Sequence, residues 1–402
     1  MLILALICFC LIALVMLELL LGFQSLRSLG DVEPDSGPSA PAVSVIVAAC
    51  NEEHAIEAGL RSLLLQHYEK LEIVVVNDRS TDGTGAAIER VRSEFPRLKV
   101  VEITNLPDGW LGKTHALQCG ADSATGDYLV FSDADVQLER STIGRAAAAM
   151  QEGGLDHLAL VFQNSSPGNL LNALISDIGA GLLWVIKPWR ARFTAGRYFV
   201  GVGAFNMVRA EAYRAVGGHN RIRMQVIDDL FLGKILKRSG FSQDCLLAQD
   251  YVKVPWYQSV EELIAGLMKN VFAFFDYRLA FALISMFFIT AVVLLPYAGI
   301  FVADGSARII FLLCIIMRCT GIGLGMIGSG IPAAAALWLL LSPFISLYII
   351  FRAVAASLLA GGITWRGSFY PLAKLKQQEW VLSGLFTLPF STTGRSGRTE
   401  SN

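Results

Sequence analysis

Asp127-Tyr-Leu-Val-Phe-Ser-Asp-Ala-Asp135 decides how the rest of this chain is read. Its apolar middle reads as a buried strand, and it ends in two carboxylates one residue apart. Side chains two apart on a strand share a face, so alternation points Asp133 and Asp135 the same way. In open α/β folds, ligands bind in the crevice outside the carboxyl ends of the strands. Oxygen ligands suit Mg2+ or Mn2+, which commonly take one or two carboxylates together with substrate phosphates. The pair therefore points to a site for a metal-bound diphosphate. Asp-x-Asp alone also describes a loop cap or a solvated turn, so the remaining motifs must decide.

Composition narrows the setting. A hydrophobic content of 54% and a mean hydropathy of +0.52 over 402 residues are high for a soluble protein. The net charge of -1, with no basic repeat or aromatic-interleaved basic run, gives no case for nucleic acid. The 7 cysteines are scattered without a paired C-x-x-C spacing, which indicates neither a disulfide framework nor a zinc site. A reducing, cytoplasmic setting for the folded part fits.

Leu2 to Phe23 is almost wholly apolar, with Glu18 its one charge, and is long enough to span a hydrocarbon core of roughly 30 Å. Without a basic leading region or an A-x-A-like cleavage site, it reads as an anchor rather than a signal peptide. The expected organisation is a transmembrane anchor over 1–25, a linker over 26–41, an α/β domain over 42–255, an interfacial amphipathic segment over 256–278, a transmembrane region over 279–360 and a cytoplasmic tail over 361–402. Within the α/β domain, short Val/Ile/Leu-rich runs alternate with helical stretches, as in a parallel sheet covered by helices. Expected strands are Val43 to Ala48, Glu72 to Val76, Leu98 to Ile103, Tyr128 to Ser132 and His157 to Phe162.

The second membrane block holds three apolar stretches, at about 279–303, 308–329 and 332–360. Arg318 lies in the middle one, where an unpaired charge is costly, so that stretch either re-enters or buries Arg318 against protein. Three full spans would put the basic tail (Arg366, Lys374, Lys376, Arg395, Arg398) opposite the α/β domain, against the positive-inside tendency. Placing both on the cytoplasmic side leaves the span count open.

Four further motifs share the strand-end position. Val43-Ser-Val-Ile-Val-Ala-Ala-Cys-Asn-Glu-Glu53 runs from a strand into a polar loop, with Asn51 and Glu52 beside a helix start. There they serve either as a ligand loop or as an ordinary cap. Glu72-Ile-Val-Val-Val-Asn-Asp-Arg-Ser-Thr-Asp-Gly-Thr84 puts Asp78 at a strand end, with Asp82 as a cap. In Asp108-Gly-Trp-Leu-Gly-Lys-Thr-His-Ala-Leu117, Gly112 and Lys113 open a helix whose free amides and ammonium can meet phosphate, although the P-loop spacing is absent. His115 reads as structural. Val226-Ile-Asp-Asp-Leu-Phe-Leu-Gly-Lys234 opens a helix with two acids, and Asp228 or Asp229 serves as a general base towards a hydroxyl or as a cap.

In this order the motifs resemble inverting glycosyltransferase family 2, over about Val43 to Gly240. The resemblance implies a GT-A nucleotide-sugar-binding fold and a divalent cation, Mg2+ or Mn2+. It further implies that Ala49, Asn51, Glu52, Asp78, Gly112, Lys113 and Asp133 bind the nucleotide-sugar, that Asp133 and Asp135 serve the metal, and that Asp229 is the base. Asp228 stands where the family usually has Glu.

The acceptor side is less specific. Trp184 to Arg223 mixes basic and aromatic residues, as suits a membrane interface and anionic head groups. Gly201 to Arg209 is similar to the family's acceptor-side strand. The Gln-x-x-Arg-Trp string of processive polysaccharide synthases is absent, which argues against polymer synthesis. Ile363-Thr-Trp-Arg-Gly-Ser-Phe-Tyr370 is similar to the post-membrane segment of membrane glycosyltransferases acting on ceramide and of relatives in hopanoid and carotenoid pathways. The expected activity is transfer of one sugar from a cytoplasmic nucleotide-sugar to a membrane lipid by an integral protein of a bacterial inner membrane. A short-chain glycan synthase is the alternative within the family, and a non-catalytic membrane scaffold the alternative outside it.

Overall fold

Val43–Ala49 (β1) is the centre of the molecule, and its neighbours explain the rest. In the computed structural model, which describes residues 1–193 and 196–377, β1 is flanked in parallel by Leu71–Asp78 (β2) and Tyr128–Asp133 (β4). Lys99–Ile103 (β3) lies outside β2, and the sheet extends the other way through His157–Val161 (β5), Asn206–Arg209 (β6) and Gln243–Leu247 (β7). The order across the 7-stranded sheet is β3-β2-β1-β4-β6-β5-β7. Only β6 runs antiparallel to its neighbours, β4 and β5.

Both faces of the sheet are buried, which is why its strands read as continuous apolar runs. Val45 and Val47 of β1 pack on one face with Ile56, Leu60 and Ile88 of the helices Ile56–Leu64 and Thr84–Glu94. Ile46 points to the other face, against Leu117 of the helix Gly112–Ser123 and Leu232 and Ile235 of the helix Asp228–Arg238. Alternation along one strand thus fills two cores. The five expected strands all form, with ends shifted by at most two residues at any boundary. One difference matters: β4 stops at Asp133, and Asp135 follows in a turn, so strand alternation does not fix the relation between the two acids.

The expected linker is packed. Leu29 and Val32 are buried in the main core, and Ser28 bridges to Leu247 at the sheet edge.

Among the described residues, five helices are long and apolar enough to cross a membrane: Leu2–Gln24, Asn169–Arg190, Leu279–Val302, Gly305–Gly328 and Ser342–Leu359. The chain is a membrane-associated protein. Ala5, Cys8 and Ile12 of the first pack with Val292, Phe311 and Cys314 of the third and fourth. Asn169–Arg190 is an apolar helix beyond the expected ones, and it carries Asp177. Arg318, buried in Gly305–Gly328, pairs with Asp177 and donates to Leu339 O at 3.2 Å. Of the two outcomes open to Arg318, burial against protein is the one found.

Both ends of the last apolar stretch abut the α/β domain. Before it, Gln249 Nε2 donates to Ser329 Oγ at 2.8 Å and Gln163 Nε2 to Ser329 O at 3.4 Å. After it, a hairpin of Gly362–Trp365 and Ser368–Pro371 brings Arg366 to the β1 loop, where it donates to Asn51 O at 3.2 Å. Arg395 and Arg398 of the expected tail lie outside the described residues.

Candidate active site

The registers of β1, β2 and β4 bring the strand-end motifs together. Ala48 pairs with Asp133 and Ala49 with Asn77, so Ala49, Asp78 and Asp133 end at one level along the carboxyl edge of the sheet. The antiparallel β6 then delivers Gly201 to Ala204 to the same edge, where Asp133 N donates to Gly203 O at 3.2 Å.

Lys113 is the hub. Its ammonium lies 2.8 Å from Asp133 Oδ1 and 3.5 Å from Asp228 Oδ1, tying the end of β4 to the start of the helix Asp228–Arg238. Burial alone would lower its pKa, but Asp133, Asp228 and Asp229 outweigh burial and raise it. Lys113 is therefore held charged. Burial pushes the pKa of both Asp228 and Asp229 up, against the opposing pull of Lys113. Asp133, Asp229 and Lys113 with His219 and Asn206 line a cavity of about 10 Å³, room for about one water centre.

Gly203 is required for this crowding. A Cβ there would stand 2.9 Å from Asp133 Oδ2 and 3.5 Å from Asp229 Oδ2. Gly201 is tighter still, with a Cβ falling 2.0 Å from the Asp229 carbonyl oxygen. The glycines let the β6 approach pass against both acidic elements.

Asp135 sits in the turn beyond β4, with its pKa raised to about 7 by burial first, then by the charges of Asp133 and Glu52. Carboxylates held together against their own repulsion are the donor set a hard divalent cation relieves. The residues present therefore fit such an ion, bound through one or two carboxylates plus substrate phosphate. Among the described residues no group of three or more His, Cys, Asp or Glu is placed to hold an ion by itself.

Several expected site residues are engaged by protein. Asn51, at φ 56°, accepts from Thr81 N at 2.8 Å through Oδ1, and its own amide donates to Ser80 Oγ at 3.1 Å. Its side chain pins the β1 loop to the β2 loop. Asp82, one residue before the N-cap Gly83, accepts from Thr84 N at 3.0 Å and from Glu53 N at 3.3 Å, so it braces the helix entry rather than capping it. Asp78 is buried and bonded by both arms of Arg79, at 2.7 and 2.8 Å. Gly112 makes room for that pair, since a Cβ there would lie 2.6 Å from Asp78 Oδ2 and from Arg79 Nη2. Glu52 forms an ion pair with Arg366.

Four residues beside the site carry no role in it on the sequence alone, although His219 ends a turn that resembles the family's acceptor side. His219 is buried, its Nδ1 2.9 Å from Tyr213 OH and its Nε2 4.0 Å from Asp228 Oδ2. Burial and then Lys113 hold its pKa down to about 3, so it stays neutral. Arg79, next to Asp78 in sequence, turns back onto that carboxylate. In sequence Arg366 is a charge of the basic tail within the post-membrane Trp-Arg segment, and Lys269 is part of the interfacial segment. The Trp365-Arg366-Gly367 turn carried the signal for Arg366, but only contact across 314 residues reveals its target.

This mostly parallel sheet flanked by helices is a GT-A-type fold. Residues 44–217 match the family model described as glycosyl transferase family 2. It is similar to the 4,4'-diaponeurosporenoate glycosyltransferase of Staphylococcus haemolyticus, 26% identical over 58% of this chain and 62% of the relative. It is also similar to the beta-monoglucosyldiacylglycerol synthase of Synechocystis, 28% identical over 48% of this chain and 39% of the relative. The chain thus spans less than two thirds of the length of these curated relatives. Among solved structures, the mannosyltransferase PcManGT from Pyrobaculum calidifontis, in complex with GDP-Man and Mn2+, shares the fold. Its TM-score is 0.50 at 20% identity, covering 89% of this chain and 99% of that one.

Proposed function

We propose that this protein is a membrane-bound inverting glycosyltransferase that moves a single sugar from a nucleotide-sugar to a hydroxyl or phosphate of a lipid. The observation that carries the reading is Lys113, which joins Asp133 on the donor side to Asp228 beside Asp229. Relatives named for a diaponeurosporenoate and a monoglucosyldiacylglycerol support a lipid acceptor.

In this reading the acceptor oxygen attacks the anomeric carbon, and the bond from that carbon to the diphosphate oxygen breaks with its electron pair. Asp229 takes the acceptor proton. An alcohol is a weak nucleophile, and a carboxylate whose pKa burial has raised is a better base than a free one. Lys113 offsets the negative charge gathering on the leaving diphosphate. A divalent cation, Mg2+ or the Mn2+ that the Pyrobaculum structure contains, would be held by Asp133 and Asp135 and would neutralise further diphosphate charge. A single displacement inverts the anomeric centre.

The placement of Ser329 and Arg366 against the α/β domain supports two membrane crossings after the catalytic domain, through Leu279–Val302 and Gly305–Gly328. Ser342–Leu359 then lies along the membrane surface. With the N-terminal span this puts the catalytic domain and the basic hairpin on one side, the cytoplasmic one, of a bacterial inner membrane, which satisfies the positive-inside tendency.

The test incubates the purified full-length protein in nanodiscs with a panel of nucleotide-sugars and membrane lipid extract, read by mass spectrometry. A lipid heavier by one sugar is expected, whereas a ladder of products would favour a short-chain glycan synthase. Asp229→Asn is expected to lose about 10²–10⁴ in turnover while nucleotide binding persists. Undiminished turnover would sink the assignment of the base, and full activity in excess chelator would sink the cation.

A further inference from the structure

The segments that bracket the membrane block both return a cation to the donor site. Lys269 lies on the helix Val260–Phe274, and its ammonium stands 3.9 Å over the ring of Trp365. Trp365 and Ser368 close a hairpin whose two turn residues, Arg366 and Gly367, have φ of 48° and 78°. That is the backbone of a two-residue primed turn, a rigid way to present a side chain. The hairpin is seated by Ile363 and Tyr370, which pack with Phe272 and with Leu111, two residues before Lys113.

The charges at this junction are unbalanced in a specific way. Lys113 is already engaged with Asp133 and Asp228, so an arriving diphosphate needs other cations. Among the described residues no carboxylate forms an ion pair with Lys269. Burial, with Lys113 and Arg366 nearby, lowers its pKa to about 7 although Asp133 and Asp228 pull the other way. A lysine held beside two other cations without a paired anion is suited to an anionic ligand. Arg366 meets Glu52, whose own pKa burial raises, with Asp133 and Asp82 adding repulsion. A phosphate oxygen is a better partner for that guanidinium than a carboxylate already crowded by its neighbours.

We propose that Lys269 and Arg366 form a clamp on the diphosphate of the nucleotide-sugar, with Glu52 holding Arg366 in place until the donor arrives. The proposal rests on the nucleotide-sugar reading given above. It makes the hairpin after the membrane block part of the donor site, so that the two ends of the membrane region are tied across the bound donor. Neither cation follows from the strand-end motifs, because both come from outside the α/β domain.

The experiment measures binding of UDP, GDP and CDP, and of the matching monophosphates, to the full-length protein in nanodiscs with magnesium present, by calorimetry. For the diphosphate that the native protein prefers, Lys269→Met and Arg366→Gln are each expected to weaken binding by about tenfold or more, and the monophosphate by less than about threefold. Lys269→Arg and Arg366→Lys should recover most of the loss. Because Arg366 sits at a turn tip, its variant decides the matter if Lys269→Met fails to fold. Diphosphate affinity unchanged in the variants, or lost equally with the monophosphate, overturns the clamp while leaving the nucleotide-sugar reading intact. A native protein that binds no diphosphate overturns both.

Discussion

Lys113 stands 2.8 Å from Asp133, and that ion pair links the strand end to the acidic helix through the second contact of the same ammonium, with Asp228. Removing one partner of a buried charge cluster leaves the others uncompensated, at a cost of roughly 3–5 kcal/mol for a fully buried pair. The Lys113 side chain is 25% exposed, so the stability cost falls below that range. Lys113→Met should therefore stay folded, shown by a melt within a few degrees of the native protein, yet lose about 10²-fold or more in turnover as its electrostatic support goes. Near-native turnover in this variant would remove Lys113 from the chemistry.

The sheet and the edge motifs were legible because each depends on local sequence. Val43–Ala49, Leu71–Asp78 and Tyr128–Asp133 are apolar runs with polar ends, and parallel pairing aligns those ends without further information. What was not legible depends on pairs far apart in the chain. The counter-charge of Asp177, Arg318, is 141 residues away, so local sequence does not reveal their pairing. Arg366 looked like a tail charge for the same reason. For Asn51 and Asp78 the nucleotide role comes from the family resemblance, and the structure adds that their side chains also bond Thr81 and Arg79. A strand-end position nominates a residue, but its partners decide what its polar atoms are free to do.

Gly203 and Gly201 separate function from folding two residues apart. A methyl group at 203 meets the far end of the Asp133 side chain, which can turn away, so Gly203→Ala should fold and lose activity by about tenfold or more as the acid is displaced. At 201 the methyl group meets the Asp229 backbone oxygen at 2.0 Å, where nothing flexible can yield. Gly201→Ala should express poorly and melt well below the native protein, as overpacking costs about 1–3 kcal/mol and at times more. Equal melting temperatures for the two variants would contradict the geometry.

His157 sets a pH dependence of stability. It is fully buried on β5, 2.6 Å from Asn206 Oδ1 through Nε2, and burial holds its pKa down to about 4. The unfolded chain protonates this imidazole near pH 6.5. As pH falls from there towards 4, the unfolded state gains a proton that the folded state refuses, so stability drops and then levels off. The shift corresponds to roughly 3 kcal/mol lost across that window. His219 acts with the same sign, while Asp135, raised to about 7, acts oppositely, gaining stability as pH falls from 7. His157→Gln should therefore flatten the acid side of a melting-temperature profile between pH 6.5 and 4, and an unchanged slope would show that this imidazole does not resist protonation.

Arg318 and Asp177 test whether the membrane helices and the catalytic domain fold as one unit. Their ion pair joins Gly305–Gly328 to the apolar helix Asn169–Ile186, with Ser342 and Ser346 contributing further hydrogen bonds. In an apolar setting each single substitution strands a charge, whereas removing both leaves neutral groups of similar shape. Arg318→Gln and Asp177→Asn should each lower thermal stability in detergent, by an amount on the order of 3–5 kcal/mol for a fully buried pair. The double variant should recover more than half of that loss, measured as a double-mutant cycle. Additive losses would mean the two charges are solvated independently. Activity should follow stability across the set, because neither residue lies at the sheet edge where Lys113 and the carboxylates meet.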